Sequence, residues 1–112
     1  MNDTASHTVL IVDDEKNMRE YLSIVLEKEG YEVYTAGSGP EALTMCPDTR
    51  PDLIIQDIRM KEMDGIQLLT RLKKDHPEIP VVIMTAYSTW ETAVEAMRLG
   101  AFDFIKKPFD NE

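Results

Sequence analysis

Hydrophobic residues recur along the chain with two alternating periods, which predict alternating strands and helices. Residues 9–12 form a continuous apolar run, typical of a strand that is buried on both faces. Residues 31–36 alternate between apolar and polar positions, which favours a strand at the edge of a sheet. Three further strands are predicted from short apolar runs: 53–57, 80–84 and 102–105.

The segments between these strands have helical periodicity and helix-end signals. Apolar residues recur at helical spacing from Met18 to Leu26, and Gly30 provides a left-handed stop. We expect Pro47 to end the second helix and Gly100 to end the fourth. Capping boxes, in which Ser or Asp precedes Glu or Gln by three residues, mark three helix starts: 38–41, 64–67 and 88–91.

Strands that alternate with helices through short loops are typical of right-handed βαβ crossovers. The predicted fold class is therefore α/β, a doubly wound five-stranded parallel sheet with helices on both faces. The 112 residues fit one domain, 1–112. A fifth helix would begin where the chain stops, so we expect it to be missing or truncated. The exposed sheet surface would then promote a homodimer, an exchange of strands or helices, or instability.

Charge and composition narrow the expected partners and compartment. The chain has 21 Asp and Glu against 12 Lys and Arg, a net charge of −9, which repels the phosphates of a nucleic acid. It has no apolar run long enough for a membrane span and no secretory leader pattern. Its single cysteine, Cys46, cannot form an internal disulfide. We therefore expect a cytoplasmic protein without direct nucleic-acid or membrane binding.

Polar residues end or follow four of the predicted strands, and the carboxyl ends of parallel strands meet at one edge of a sheet. Three such carboxylates suit a Mg²⁺ ion that keeps several waters. Asp57 could also act as a nucleophile toward a phosphoryl group, whose oxygens Lys107 and Thr85 could contact. The residues at these strand ends are Asp13, Asp14, Asp57, Thr85 and Lys107.

All of these residues except Asp57 also have a simpler structural explanation. Asp13 and Asp14 could cap the first helix. Thr85 could be only a strand-end residue, and Lys107 could be a solvated loop cation. Position in the fold has to decide between these explanations.

Two other functions compete with a phosphoacceptor. A Mg²⁺-dependent phosphohydrolase would use Asp57 as its nucleophile, but Arg59 stands two residues later, where such an enzyme needs an acid, and the chain has no cap domain. A flavin or nucleotide carrier would need a glycine-rich loop after the first strand. The chain instead has acidic residues at 13–15, which would repel the phosphates of such a ligand.

The chain resembles the receiver domain of a bacterial two-component response regulator over residues 8–110. Within that range, residues 85–104 are similar to receivers of nitrogen-regulator-type transcriptional activators. Lys61 stands where the family often has proline, and Gln56 where an apolar or small residue is commoner. The segments that carry the resemblance are 10–15, 57–60, 63–65, 84–86 and 104–109.

The resemblance implies a phosphorylation-controlled signalling switch with a flavodoxin-like strand order, 2-1-3-4-5. A sensor histidine kinase or a phosphotransfer protein would donate the phosphoryl group, and an output domain absent from this chain, or a partner protein, would be regulated. The only chemistry implied is self-phosphorylation and autodephosphorylation, so the protein would not be an enzyme acting on other substrates.

The resemblance also assigns roles to single residues. Asp57 would be phosphorylated, while Thr85 and Lys107 would contact the phosphoryl group. Thr85 would also couple to Phe104, whose ring would pack inward in the active state without the hydroxyl of a tyrosine. Without the resemblance, Phe104 could be an ordinary aromatic residue of the fifth strand. The implied Mg²⁺ ligands are Asp13, Asp14, Asp57 and the backbone carbonyl of Arg59.

Overall fold

The computed structural model describes residues 7–86 and 90–107, in which five strands alternate with four helices. The strands are β1 (Thr8–Val12), β2 (Glu32–Ala36), β3 (Leu53–Gln56), β4 (Val81–Thr85) and β5 (Asp103–Lys106). The helices are α1 (Lys16–Lys28), α2 (Gly39–Thr49), α3 (Gly65–Asp75) and α4 (Trp90–Arg98).

All neighbouring strands are parallel, and their order is β2-β1-β3-β4-β5. This confirms the doubly wound sheet and the strand order implied by the resemblance. β2 is an edge strand, as its alternating pattern predicted, and β1 is central and almost entirely buried. Val12, at the end of β1, pairs with Ala36 on one side and with Gln56 on the other. The carboxyl ends of the two central strands are therefore adjacent.

Successive residues of a strand point to opposite faces, so the sheet separates two hydrophobic clusters. The smaller cluster packs Val9, Ile11 and Ile55 against Met18 and Leu22 of α1. The larger cluster lies on the opposite face, where the sheet packs against α2, α3 and α4. Its fully buried large side chains are Leu10, Val12, Ile54, Leu68, Leu69, Leu72, Val81 and Ile83.

Two of the predicted capping boxes lie within the described residues, and both begin helices. The Ser38 hydroxyl accepts the Glu41 N–H at 3.2 Å, while the Glu41 carboxylate accepts the Gly37 N–H at 2.8 Å, one residue before the cap. At the start of α3, the Asp64 carboxylate accepts the Gln67 N–H at 2.9 Å. The first two residues of the third box, 88–91, lie outside the described residues.

The prediction that Pro47 ends α2 is wrong. The helix continues to Thr49 and ends at Arg50, which adopts a left-handed conformation with φ of 48°. A proline so near the end of a helix removes only one intrahelical hydrogen bond, and the Arg50 N–H still donates to the Cys46 carbonyl at 3.0 Å. Gly30 and Gly100, with φ of 97° and 106°, follow α1 and α4 as predicted.

Strand boundaries differ from the sequence predictions by about one residue, as helix and strand ends commonly do. β4 and β5 both begin one residue later than predicted, at Val81 and Asp103. The expected start of a fifth helix lies within 108–112, outside the described residues. None of the helices in the described ranges has the length and hydropathy that a membrane-spanning helix requires.

Candidate functional site

Three carboxylates meet at the carboxyl edge of the sheet. Asp13, Asp14 and Asp57 each place one carboxylate oxygen within 4.8 Å of the others. The Asp13 N–H donates to the Ala36 carbonyl, and the Asp57 N–H donates to the Val12 carbonyl, so both acids continue the hydrogen bonding of the central strands. Asp13 and Asp57 are buried, with only 3% and 6% of their surface exposed.

Lys107, which follows the edge strand β5, forms ion pairs with two of these carboxylates. Its Nζ lies 3.0 Å from Asp13 Oδ2 and 3.0 Å from Asp57 Oδ2. Its backbone N–H donates to the Thr85 carbonyl at 3.0 Å, which holds the residue beside the end of β4. Lys107 is only 7% exposed, so it is not a solvated loop cation.

The carboxylate of Asp57 is held at both oxygens. Oδ1 accepts the N–H of Ile58 at 2.7 Å and the N–H of Arg59 at 3.3 Å, and Oδ2 accepts a hydrogen bond from Lys107. Hydrogen bonds to an ionised group are the strong ones, so these contacts fix the orientation of the carboxylate. The first two residues of the β3–α3 loop therefore face Asp57 with their backbone.

Burial and neighbouring charges have opposite effects on the pKa of Asp13, and likewise on the pKa of Lys107. Burial raises the pKa of Asp13, although the Glu15 N–H and the Lys107 ammonium partly offset this effect. Burial also disfavours the charged form of Lys107, but hydrogen bonds and charge from Asp13 and Asp57 outweigh it and raise the pKa of Lys107 above its usual value. Lys107 is therefore a permanent cation at neutral pH.

The donor set fits a hard divalent cation. Three carboxylates face a single ammonium, so the ionised cluster has an excess of negative charge that a cation would neutralise. Carboxylate and carbonyl oxygens are the ligands that Mg²⁺ takes, and it usually keeps several waters. The cluster lies at the strand ends, where parallel α/β sheets bind their ligands.

The two residues expected to form the switch lie on the neighbouring strands β4 and β5. Thr85 is fully buried at the end of β4 and pairs with Lys106 of β5. Phe104 pairs with Ile83 and packs against the larger hydrophobic cluster. Because side chains two residues apart share a face of the sheet, Thr85 and Phe104 are diagonal neighbours on the face of that cluster.

Sequence reasoning assigned no role to three residues that contact the site. The Glu15 N–H donates to Asp13 Oδ1 at 2.9 Å, and its carboxylate lies 3.3 Å from Lys107. The Arg19 guanidinium donates to the Asp13 backbone carbonyl at 2.8 Å. Gln56 is buried directly before Asp57. A polar residue in an apolar strand was the available signal for Gln56, whereas the reach of Arg19 back to Asp13 has no sequence signature.

The sequence of this chain is similar to those of known proteins. The family described as response regulator receiver domain matches residues 9–112. The chain is 49% identical over 107 residues to the regulatory protein AtoC of Escherichia coli strain K12, covering 96% of this chain and 23% of AtoC. It is 43% identical over 107 residues to the nitrogen assimilation regulatory protein NtrX of Azorhizobium caulinodans, covering 94% of this chain and 24% of NtrX. The chain thus spans about a quarter of these relatives.

Solved structures agree with the sequence comparison. The chemotaxis protein CheY4 of Vibrio cholerae superposes with a TM-score of 0.88 at 33% identity, covering 95% of this chain and 90% of CheY4. The fold, the strand order and the family match lead to the same assignment. This chain belongs to the response regulator receiver domains of two-component systems, and its relatives include nitrogen-regulator-type transcriptional regulators.

Proposed function

We propose that this domain is a phosphorylation-controlled switch in which Asp57 accepts a phosphoryl group in a Mg²⁺-dependent reaction. The observation that carries the proposal is the position of Lys107, whose ammonium lies 3.0 Å from the carboxylates of both Asp57 and Asp13. A buried cation beside a carboxylate whose orientation is fixed is the arrangement that phosphoryl transfer to that carboxylate needs. Receiver domains are regulatory phosphoacceptors, which agrees with this chemistry.

In this proposal the metal is held by Asp13, Asp14, Asp57 and the backbone carbonyl of Arg59. When bound, Mg²⁺ supplies positive charge that neutralises the transferring phosphoryl oxygens. The close approach of the first three carboxylates supports this assignment. The carbonyl of Arg59 belongs to a residue whose N–H already faces Asp57.

The proposed donor is a phosphohistidine of a sensor histidine kinase or of a phosphotransfer protein. One carboxylate oxygen of Asp57 attacks phosphorus, the bond from phosphorus to the histidine nitrogen breaks, and that nitrogen keeps the electron pair. Lys107 then pairs with the phosphoryl oxygens, and the hydroxyl of Thr85 donates a hydrogen bond to them. Attack of water on phosphorus later releases inorganic phosphate and restores the Asp57 carboxylate.

The proposed signal is a movement of Thr85 toward the phosphoryl group, with the ring of Phe104 packing inward behind it. Phosphorylation adds about −1.5 to −2 charge beside Thr85 and Lys107, which is sufficient to draw a loop toward the site. The change would regulate an output domain or a partner protein, as the names of the relatives suggest. We propose that the phosphoryl transfer takes place in the cytoplasm. The expected homodimer stays a prediction.

Intact mass spectrometry tests the proposal. The protein is incubated with Mg²⁺ and acetyl phosphate, beside Asp57→Asn and a sample with a chelator. We expect one added phosphoryl group, lost in both controls and retained in Asp64→Asn, because asparagine also caps helix α3. An adduct that persists in Asp57→Asn, or its absence from folded protein that binds Mg²⁺, would contradict the proposal. Phosphate release in excess of protein from a generic phosphatase substrate would instead favour a hydrolase.

A further inference from the structure

Gln56 places a buried amide between the end of strand β3 and helix α3. It is the last residue of β3 and only 1% exposed. Its Nε2 donates to the Gly65 carbonyl at 2.8 Å and to the Asp57 carbonyl at 3.3 Å. One side chain thus connects the residue that precedes the β3–α3 loop, 58–64, with the residue that follows it.

The backbone of Gly65 lies close to the backbone of Asp57 and Ile58. Its N–H donates to the Ile58 carbonyl at 2.7 Å. A Cβ on Gly65 would lie 2.3 Å from the Asp57 carbonyl oxygen, so only glycine permits this approach. The Gly65 carbonyl is therefore bonded to Gln56 at the end of β3 and its N–H to Ile58, the first residue of the loop, so hydrogen bonds hold the two ends of the β3–α3 loop together.

The amide of Gln56 is not an obvious contributor to stability. Its Oε1 is buried and has no hydrogen-bond partner among the residues that the structure describes. A buried polar atom without a partner is destabilising, and an apolar side chain of the same length would avoid that penalty. The hydrogen bonds made by Nε2 therefore act mainly on the geometry of the loop.

We propose that Gln56 is a positioning residue for the metal site. By holding the carbonyls of Asp57 and Gly65 together, it would fix the β3–α3 loop, and with it the Arg59 carbonyl that is the proposed ligand. This inference rests on the proposed function, in which that carbonyl is a Mg²⁺ ligand. Residues that orient metal ligands without contacting the metal commonly affect metal affinity about tenfold or more.

The test separates metal affinity from stability. Mg²⁺ affinity is measured by isothermal titration calorimetry and thermal unfolding by circular dichroism, for the wild type, Gln56→Met and Ile54→Val. We expect Gln56→Met to weaken Mg²⁺ binding about tenfold while its melting temperature is unchanged or higher. Ile54→Val is the packing control on the same strand and face, and it should lower the melting temperature with Mg²⁺ affinity unchanged.

Each outcome decides the question. Wild-type Mg²⁺ affinity in folded Gln56→Met overturns the positioning role and leaves the proposed function intact. Failure of the wild type to bind Mg²⁺ overturns both. If Gln56→Met does not fold, Gln56→Asn decides, because it keeps the amide but is one methylene too short to reach Gly65. Weakened binding in that variant supports the inference, and wild-type binding overturns it.

Discussion

The ammonium of Lys107 lies 3.0 Å from the carboxylate of Asp57, although 50 residues separate them in the sequence. The same ammonium bonds Asp13 at an equal distance. A single cation that follows the fifth strand therefore pairs with acids that follow the first and third strands. The same three side chains thus form the buried ion pairs and belong to the proposed phosphoacceptor site.

Replacement of Lys107 by methionine should destabilise the fold in the absence of metal. Removal of one partner of a buried ion pair leaves the other charge uncompensated and costs about 3 kcal/mol. Mg²⁺ should restore more stability to Lys107→Met than to the wild type, because it neutralises the same carboxylates. Urea unfolding with and without Mg²⁺ measures both effects. Lys106→Met, at an exposed neighbouring position, is the control and should change little.

Replacement of Asp13 by asparagine should separate stability from metal binding. Burial raises the pKa of Asp13, so the charged form is less favourable in the fold than in water, and a neutral amide relieves that penalty. We expect Asp13→Asn to be at least as stable as the wild type without metal, and to bind Mg²⁺ at least about tenfold more weakly. Calorimetric titration checks this, and a loss of stability with full Mg²⁺ affinity would contradict it.

The raised pKa of Asp13 also predicts a dependence of stability on pH. As pH rises from the ordinary value of 3.8 through the raised value, the folded protein retains a proton at Asp13 that the unfolded chain releases. The contribution of Asp13 to the free energy of unfolding therefore falls as pH rises through this window. Metal-free urea unfolding should show this fall in the wild type relative to Asp13→Asn, and parallel pH profiles would exclude it.

Alanine at Gly65 should disturb both the fold and the site. The added Cβ would meet the Asp57 carbonyl oxygen at 2.3 Å, so the end of β3 or helix α3 has to move. We expect a loss of about 2 kcal/mol in the free energy of unfolding, as for other overpacked positions, and slower phosphorylation by acetyl phosphate. Gly37→Ala is the matched control, because the nearest atoms to its Cβ would belong to flexible side chains, those of Arg19 at 3.2 Å and Glu41 at 3.6 Å, and not to the backbone.

Valine at Thr85 should uncouple phosphorylation from the proposed switch. The substitution keeps the shape of the buried side chain but removes the hydroxyl that would bond the phosphoryl group. Asp57 should still be phosphorylated, while the changes in backbone amide chemical shifts around Phe104 on phosphorylation become smaller. Thr44→Val, on the exposed side of α2, should show the full changes. Undiminished changes in Thr85→Val would contradict the coupling.

The sheet was predictable because its signals are local. The apolar run of β1 and the alternation of β2 correctly distinguished a central strand from an edge strand. Because parallel strand ends share an edge, the sequence also predicted that Asp13, Asp14, Asp57 and Lys107 would lie near one another. The wrong end of α2 at Pro47 shows where a local rule fails, since a proline in the last turn removes little hydrogen bonding.

The hydrogen bonds that hold the two ends of the β3–α3 loop together were not predictable from local signals. Gln56 and Gly65 are nine residues apart, and their contact depends on where α3 docks against the end of β3. The bond from Arg19 to the Asp13 carbonyl has the same character, because it depends on the direction in which α1 leaves the sheet. Such contacts follow from tertiary packing, for which periodicity and capping motifs give no information.

The position of Lys107 in the chain has a consequence for biosynthesis. Translation proceeds from the amino terminus, so a ribosome exposes both acids of the central strands well before it exposes this lysine. Until Lys107 has emerged, a nascent chain lacks the ammonium that pairs with both Asp13 and Asp57 in the folded domain. Under the proposed function, a nascent chain therefore becomes competent to accept a phosphoryl group at Asp57 only after β5 and Lys107 have been synthesised.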